Sequence, residues 1–79
     1  MIIFSQDCVE AVNSDMVFCY GIDVLNGVRY DLYAAPSVPD SDDGYIILGV
    51  YFTATAARDE FEKLMDALVK KEVAMYYVE

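Results

Sequence analysis

A chain of 79 residues that is 57% apolar and carries a net charge of −9 holds one domain, 1–79, near the lower size limit for a single hydrophobic core. The apolar share, with seven tyrosines and four phenylalanines, excludes an acidic disordered tail, and five cations in total exclude a conventional phosphate-binding surface. Histidine is absent, which removes the Ser–His and Cys–His arrangements and the commonest metal ligand together.

So many aromatic side chains exceed what so small a core can hide. Some are expected at an interface, either a homodimer or a partner surface. No apolar run approaches the roughly 18 residues a membrane span needs, and MIIFSQD lacks the basic and apolar regions of a signal peptide. The expectation is a cytoplasmic protein without membrane contact, in which Cys8 and Cys19 stay reduced. Neither cysteine belongs to a CxxC motif.

In chain order, MIIFS (residues 1–5) is a short β-prone run, and VEAV (9–12) alternates as a returning strand would. NSD (13–15) is turn chemistry. MVFCYGIDVL (16–25) and VRYDLYAA (28–35) flank Asn26-Gly27, a strong hairpin signal because a type I′ turn needs positive φ twice. A two-residue loop there sets Leu25 against Val28, Asp23 against Tyr30 and Gly21 against Leu32. Neither side of that ribbon is cleanly polar, so it is expected to be covered on both faces or shared with a second chain.

Pro36 to Gly44 reads as a loop, and Tyr45 to Phe52 as an inner strand, apolar on both faces. Thr53 is the expected N-cap of a helix over 54–71, with Ala57, Phe61, Leu64, Met65 and Leu68 as its apolar stripe. Asp59–Lys63 and Asp66–Lys70 are spaced as i,i+4 ion pairs. VAMYYV (73–78) favours a last strand or an extended tail, with a continued helix as the alternative.

Catalysis finds no support in these residues. The cysteines have no basic neighbour to lower a thiol pKa, and any carboxylate pair among fourteen acids is an arbitrary choice. Asp40 to Gly44 departs from a calcium loop, because its third acid falls one place early and Tyr51 stands where the terminal glutamate belongs. The expectation is no enzyme, no cofactor and no metal.

Charge is the informative feature. Residues 1–57 hold eight acids and one base, against six acids and four bases in 58–79, so the acid excess belongs to the strands and loops. An acidic face of this kind can be steered to a basic groove and occupy it in place of nucleic acid, or the acidity can serve solubility alone.

The segment ILGVYFTATAARDEFEKLMDAL, with Leu48-Gly49-x-Tyr51-x-Thr53 followed by Ala57, Arg58 and Asp59, resembles a pattern in small uncharacterised proteins of bacteriophages and prophages. These open with a short strand and turn like MIIFSQD. This chain departs from the pattern at Val50, Ala54 and Thr55, where acids are usual. The resemblance implies a compact antiparallel sheet with one helix and a mobile-element origin. Small acidic phage proteins include stoichiometric inhibitors of host defence, anti-CRISPR proteins among them.

The combined expectation is an α+β domain, with an antiparallel sheet of four to six strands and one helix across a face. Its function is that of a non-catalytic, homodimeric interaction protein whose acidic edge docks on a basic, nucleic-acid-binding protein without touching nucleic acid itself. Asp23, Asp31, Asp40, Asp42 and Asp43 are the candidate anions, with Tyr30, Tyr33 and Tyr45 as aromatic anchors. The alternative is a homo-oligomeric structural module without such a partner.

Overall fold

The computed structural model describes residues 1–36 and 45–79, so most of the loop expected over 36–44 lies outside the described residues. Within them the chain runs β1 (Ile2–Phe4), β2 (Ala11–Asn13), a 3-10 turn (Ser14–Met16), β3 (Val17–Leu25), β4 (Arg29–Pro36), β5 (Ile46–Tyr51), α1 (Ala54–Lys70) and β6 (Met75–Tyr77). The fold is α+β, as the composition and patterning imply. The six strands form two sheets of three, ordered β2-β1-β6 and β3-β4-β5. The expectation of purely antiparallel pairing fails at one place, because β6 lies parallel to β1. The long excursion between them, which includes α1, supplies the crossover that parallel neighbours require.

The hairpin shows the largest departure from expectation. Asn26 and Gly27 take φ of 55° and 69°, as the Asn-Gly signal demands, and the Val28 N–H donates to the Leu25 carbonyl at 3.2 Å. Strand pairing nevertheless starts one residue later, with Leu25 opposite Arg29, Asp23 opposite Asp31 and Ile22 opposite Leu32. Val28 is left over in the loop, 64% exposed. A one-residue slip exchanges the faces of a strand. Here it gathers Tyr20, Ile22, Tyr30, Leu32 and Ala34 against the core and leaves Gly21, Asp23, Arg29, Asp31 and Tyr33 on the outer face. The register expected from a two-residue loop would have buried Asp23 alongside Leu32. Hydrophobic segregation therefore selects the longer loop.

β4, and not β5, is the inner strand of the meander. β5 is apolar on both faces for another reason. A register shift between Leu32 and Tyr33 turns Leu48 into the core, while Ile47 stays on the outer face, 37% exposed. The free edge of β5 is occupied by one residue of the β1–β2 connection. The Gln6 N–H donates to the Leu48 carbonyl at 2.6 Å, and its side-chain oxygen accepts from the Val50 N–H at 3.0 Å. Its side-chain nitrogen donates to the Glu79 carbonyl at 2.9 Å. Gln6 thus joins the two sheets and the C-terminal residue.

The helix starts where capping chemistry places it, with the Thr53 hydroxyl accepting from the Ala56 N–H at 3.1 Å. It ends at Lys71, whose left-handed φ of 55° directs its N–H to the Ala67 carbonyl. Ala57 and Leu64 are fully buried, and Phe61, Met65 and Leu68 pack around them against the inner face of the meander. Asp66–Lys70 forms at 3.1 Å, but Lys63 reaches Glu79 at 3.8 Å where a pair with Asp59 was expected. Ile3, Val12 and Val78 from the other sheet complete one core.

Candidate partner-binding face

The outer face of the meander carries the chemistry, and the corrected register assembles it. Asp23 and Asp31 stand directly opposite each other on β3 and β4, a like-charge pairing that is unfavourable unless each carboxylate has its own donor. Each has one. Arg29, two residues before Asp31 on the same strand face, donates from Nε to Asp31 Oδ1 at 2.8 Å and from a terminal guanidinium nitrogen to Oδ2 at 3.2 Å. This fork neutralises Asp31, which is only 2% exposed. Asp23 instead accepts from the Tyr45 hydroxyl at 2.7 Å. That hydrogen bond, reinforced by the Asp23 charge, raises the Tyr45 pKa above its ordinary value.

Tyr45 is aimed at Asp23 by its neighbour. Its ring lies against Tyr33, with centroids 4.5 Å apart at a 36° tilt. Tyr33 in turn lies over Gly21, its cross-strand partner. A Cβ at position 21 would stand 2.5 Å from the Tyr33 hydroxyl oxygen and 2.6 Å from the adjoining ring carbon. Gly21 is therefore the seat that lets an aromatic ring lie flat on the sheet. The result is a Gly21–Tyr33–Tyr45–Asp23 relay across three strands, bordered by the Arg29–Asp31 pair.

This arrangement divides the candidate residues. Asp23, Asp31, Tyr33 and Tyr45 share the outer face. Tyr30 does not: it lies opposite Val24 and Tyr51 on the helix side, packed against the core. Asp31 shares the face of Asp23 only because of the corrected register, and its charge is already matched by Arg29. Asp40, Asp42 and Asp43 lie outside the described residues. Of the expected anions, Asp23 is the described one with solvent access. Sequence reasoning assigned no role to Arg29 or Gly21, although the alternation Arg29-x-Asp31-x-Tyr33 places all three side chains on one side of a strand.

A second polar cluster sits between the helix and the C-terminal strand. Glu60 is 4% exposed and accepts from the Tyr76 hydroxyl at 2.7 Å and the Glu79 N–H at 3.2 Å. Burial, then the hydrogen bond to Glu60, drives the Tyr76 pKa strongly upward. Burial with the nearby charges of Glu60 and Glu79 pushes Tyr51 up to about 12, although the Tyr51 hydroxyl has no hydrogen-bond partner among the described residues. Helical spacing from Ala57 to Leu64 puts Glu60 on the buried stripe, a signal available in the sequence.

A depression of about 290 Å³ lies beside Gln6, lined by Ser5, Asp7, Glu10 and residues 47–50. Its polar groups are engaged with one another. The Ser5 hydroxyl donates to Asp7 at 2.6 Å and accepts from the Glu10 N–H at 3.1 Å, which organises the turn. Among the described residues no group of three His, Cys, Asp or Glu side chains is arranged to hold a metal ion, and no helix is long and apolar enough to cross a membrane.

Comparison with protein-family models, with curated proteins and with solved structures finds no match.

Proposed function

We propose that this protein acts without bond-making, by presenting the outer face of its meander to a basic protein surface. The observation that carries the reading is the built state of that face. Tyrosine rings seated on glycine and hydrogen-bonded to a carboxylate form an ordered, amphipathic surface with little side-chain entropy left to lose on binding. Tyr45 is 42% exposed, and the chain as a whole carries −9. A net field of this size steers the molecule to cationic grooves.

Asp23 is the contact anion in this reading, with Tyr45 and Tyr33 as anchors. Asp31 holds Arg29 in place beside them. Asp40, Asp42 and Asp43 add to the acidity of the chain. The partner class is a nucleic-acid-binding protein, whose phosphate groove is the commonest strongly cationic concavity. Stoichiometric inhibition of a host defence protein, in the manner of anti-CRISPR proteins, is the specific version.

Capture from a bacterial host lysate, at about 0.05 M and about 0.5 M salt, tests it. The retained protein should bind nucleic acid, dissociate at the higher salt, and be displaced by added oligonucleotide. Asp23→Asn combined with Tyr45→Phe should abolish retention while leaving the melting temperature nearly unchanged. Equal retention by this variant, or a partner indifferent to salt, would overturn the reading.

A further inference from the structure

We infer that β3 pairs edge to edge with the β3 of a second copy, in antiparallel full overlap about Gly21, giving a six-stranded sheet with both helices on one side. Among the described residues β3 is hydrogen-bonded to β4 alone, so its other edge presents unpaired backbone over nine residues. Natural edges of that length are protected by lysine, proline, charge or brevity. Val17–Leu25 has neither lysine nor proline, and Asp23 is its single charge. Its one irregularity, between Val17 and Cys19, sits at one end.

The other edges are defended. β2 and β6 have three residues each, the first flanked by Glu10 and Asp15, the second by Glu72 and Glu79. The edge of β5 is taken by Gln6. Two copies that each carry −9 repel over most of their surface, and β3 is the longest strip where they approach with little charge between them.

The sequence of the strand is self-complementary in one register. With Gly21 opposite Gly21, Ile22 faces Tyr20 and Asp23 faces Cys19, short of the bulge at Phe18. The residue on a two-fold axis meets itself, and glycine has no side chain to clash there. A slide that centred the pair on Asp23 would instead oppose two carboxylates. The dimer stands without the proposed function. If both hold, the assembly offers a partner two Tyr45–Asp23 patches on one continuous face.

Sedimentation velocity over a concentration series decides the point, with circular dichroism to confirm that each variant is folded. The wild-type protein should be a dimer. Cys19→Glu sets a carboxylate opposite Asp23 of the other copy at both ends of the seam, and should raise the dimer dissociation constant by about tenfold or more. Cys19→Lys makes those pairs complementary and should leave the dimer intact.

For the register, Asp23→Cys in a Cys8→Ser background places a new thiol opposite the native Cys19 of the other copy. A disulfide should form between those two sulfurs, across the seam, when diamide accepts the two thiol hydrogens. A monomer at every concentration, equal association of the two charge variants, or a folded dimer that does not cross-link would each overturn the inference. None of these outcomes depends on a host partner, so they are separable from the lysate result.

Discussion

Tyr51 is buried and Tyr76 half-buried beside Glu60, yet their hydroxyls do opposite things. Tyr76 donates to the carboxylate, whereas Tyr51 donates to nothing among the described residues. Removing the first leaves a buried acceptor underserved, and removing the second deletes an unpaired polar atom. Tyr76→Phe should therefore destabilise the protein by about 1–3 kcal/mol in urea titration, and Tyr51→Phe by about 0–1 kcal/mol or not at all. The same pair sets an alkaline limit. The native state holds phenolic protons that an unfolded chain releases near pH 10.0, because burial raises Tyr51 to about 12 and Tyr76 further. Their contribution is complete below pH 10.0 and is lost as pH rises through the native values. Stability should fall steadily above about pH 10 in the wild type, and less steeply in Tyr51→Phe.

Among the elements, the junction of the two sheets depends on one glutamine. Gln6 substitutes a side-chain amide for the peptide group that a further strand would have offered to β5, and it ties down Glu79 as well. Gln6→Ala removes both side-chain bonds and should cost about 1–2 kcal/mol. Its diagnostic readout is hydrogen exchange. The Val50 amide should lose protection well before the amides shared by β3 and β4, because the change opens one edge and leaves the hairpin intact. The hairpin itself shows how an element escapes a local rule. Asn26-Gly27 dictates the turn conformation, but burial of Leu32 and Ala34 dictates which residues pair.

Taken whole, the molecule balances a small core against self-repulsion. Among the described residues three of the five cations lie in ion pairs, at Arg29, Lys63 and Lys70, and the fourteen acids leave a net −9 in excess. Raising salt from about 0.02 M to about 0.5 M should therefore raise the thermal midpoint, by screening repulsion within the chain. The same change should weaken capture of a basic partner. Opposite responses of stability and binding to one variable would show that the charge serves interaction while weakening the isolated fold; a midpoint that falls with salt would refute that view.

Local chemistry was sufficient for the parts of this protein that depend on near neighbours. The Thr53 cap, the helical stripe from Ala57 to Leu68, the positive φ at Asn26-Gly27 and the α+β class are all legible from spacing and side-chain type, because a few consecutive residues decide them. About half of the candidate face was legible too: alternation puts Asp23 with Gly21, and Asp31 with Tyr33. Joining those two halves required the register, which exchanged Tyr30 for Arg29 and brought Asp31 opposite Asp23. That register, the parallel docking of β6 on β1 and the Gln6 bridge depend on apolar surface collected from segments far apart in the chain. A one-residue slip is nearly free locally and decisive once a helix covers one side of the sheet.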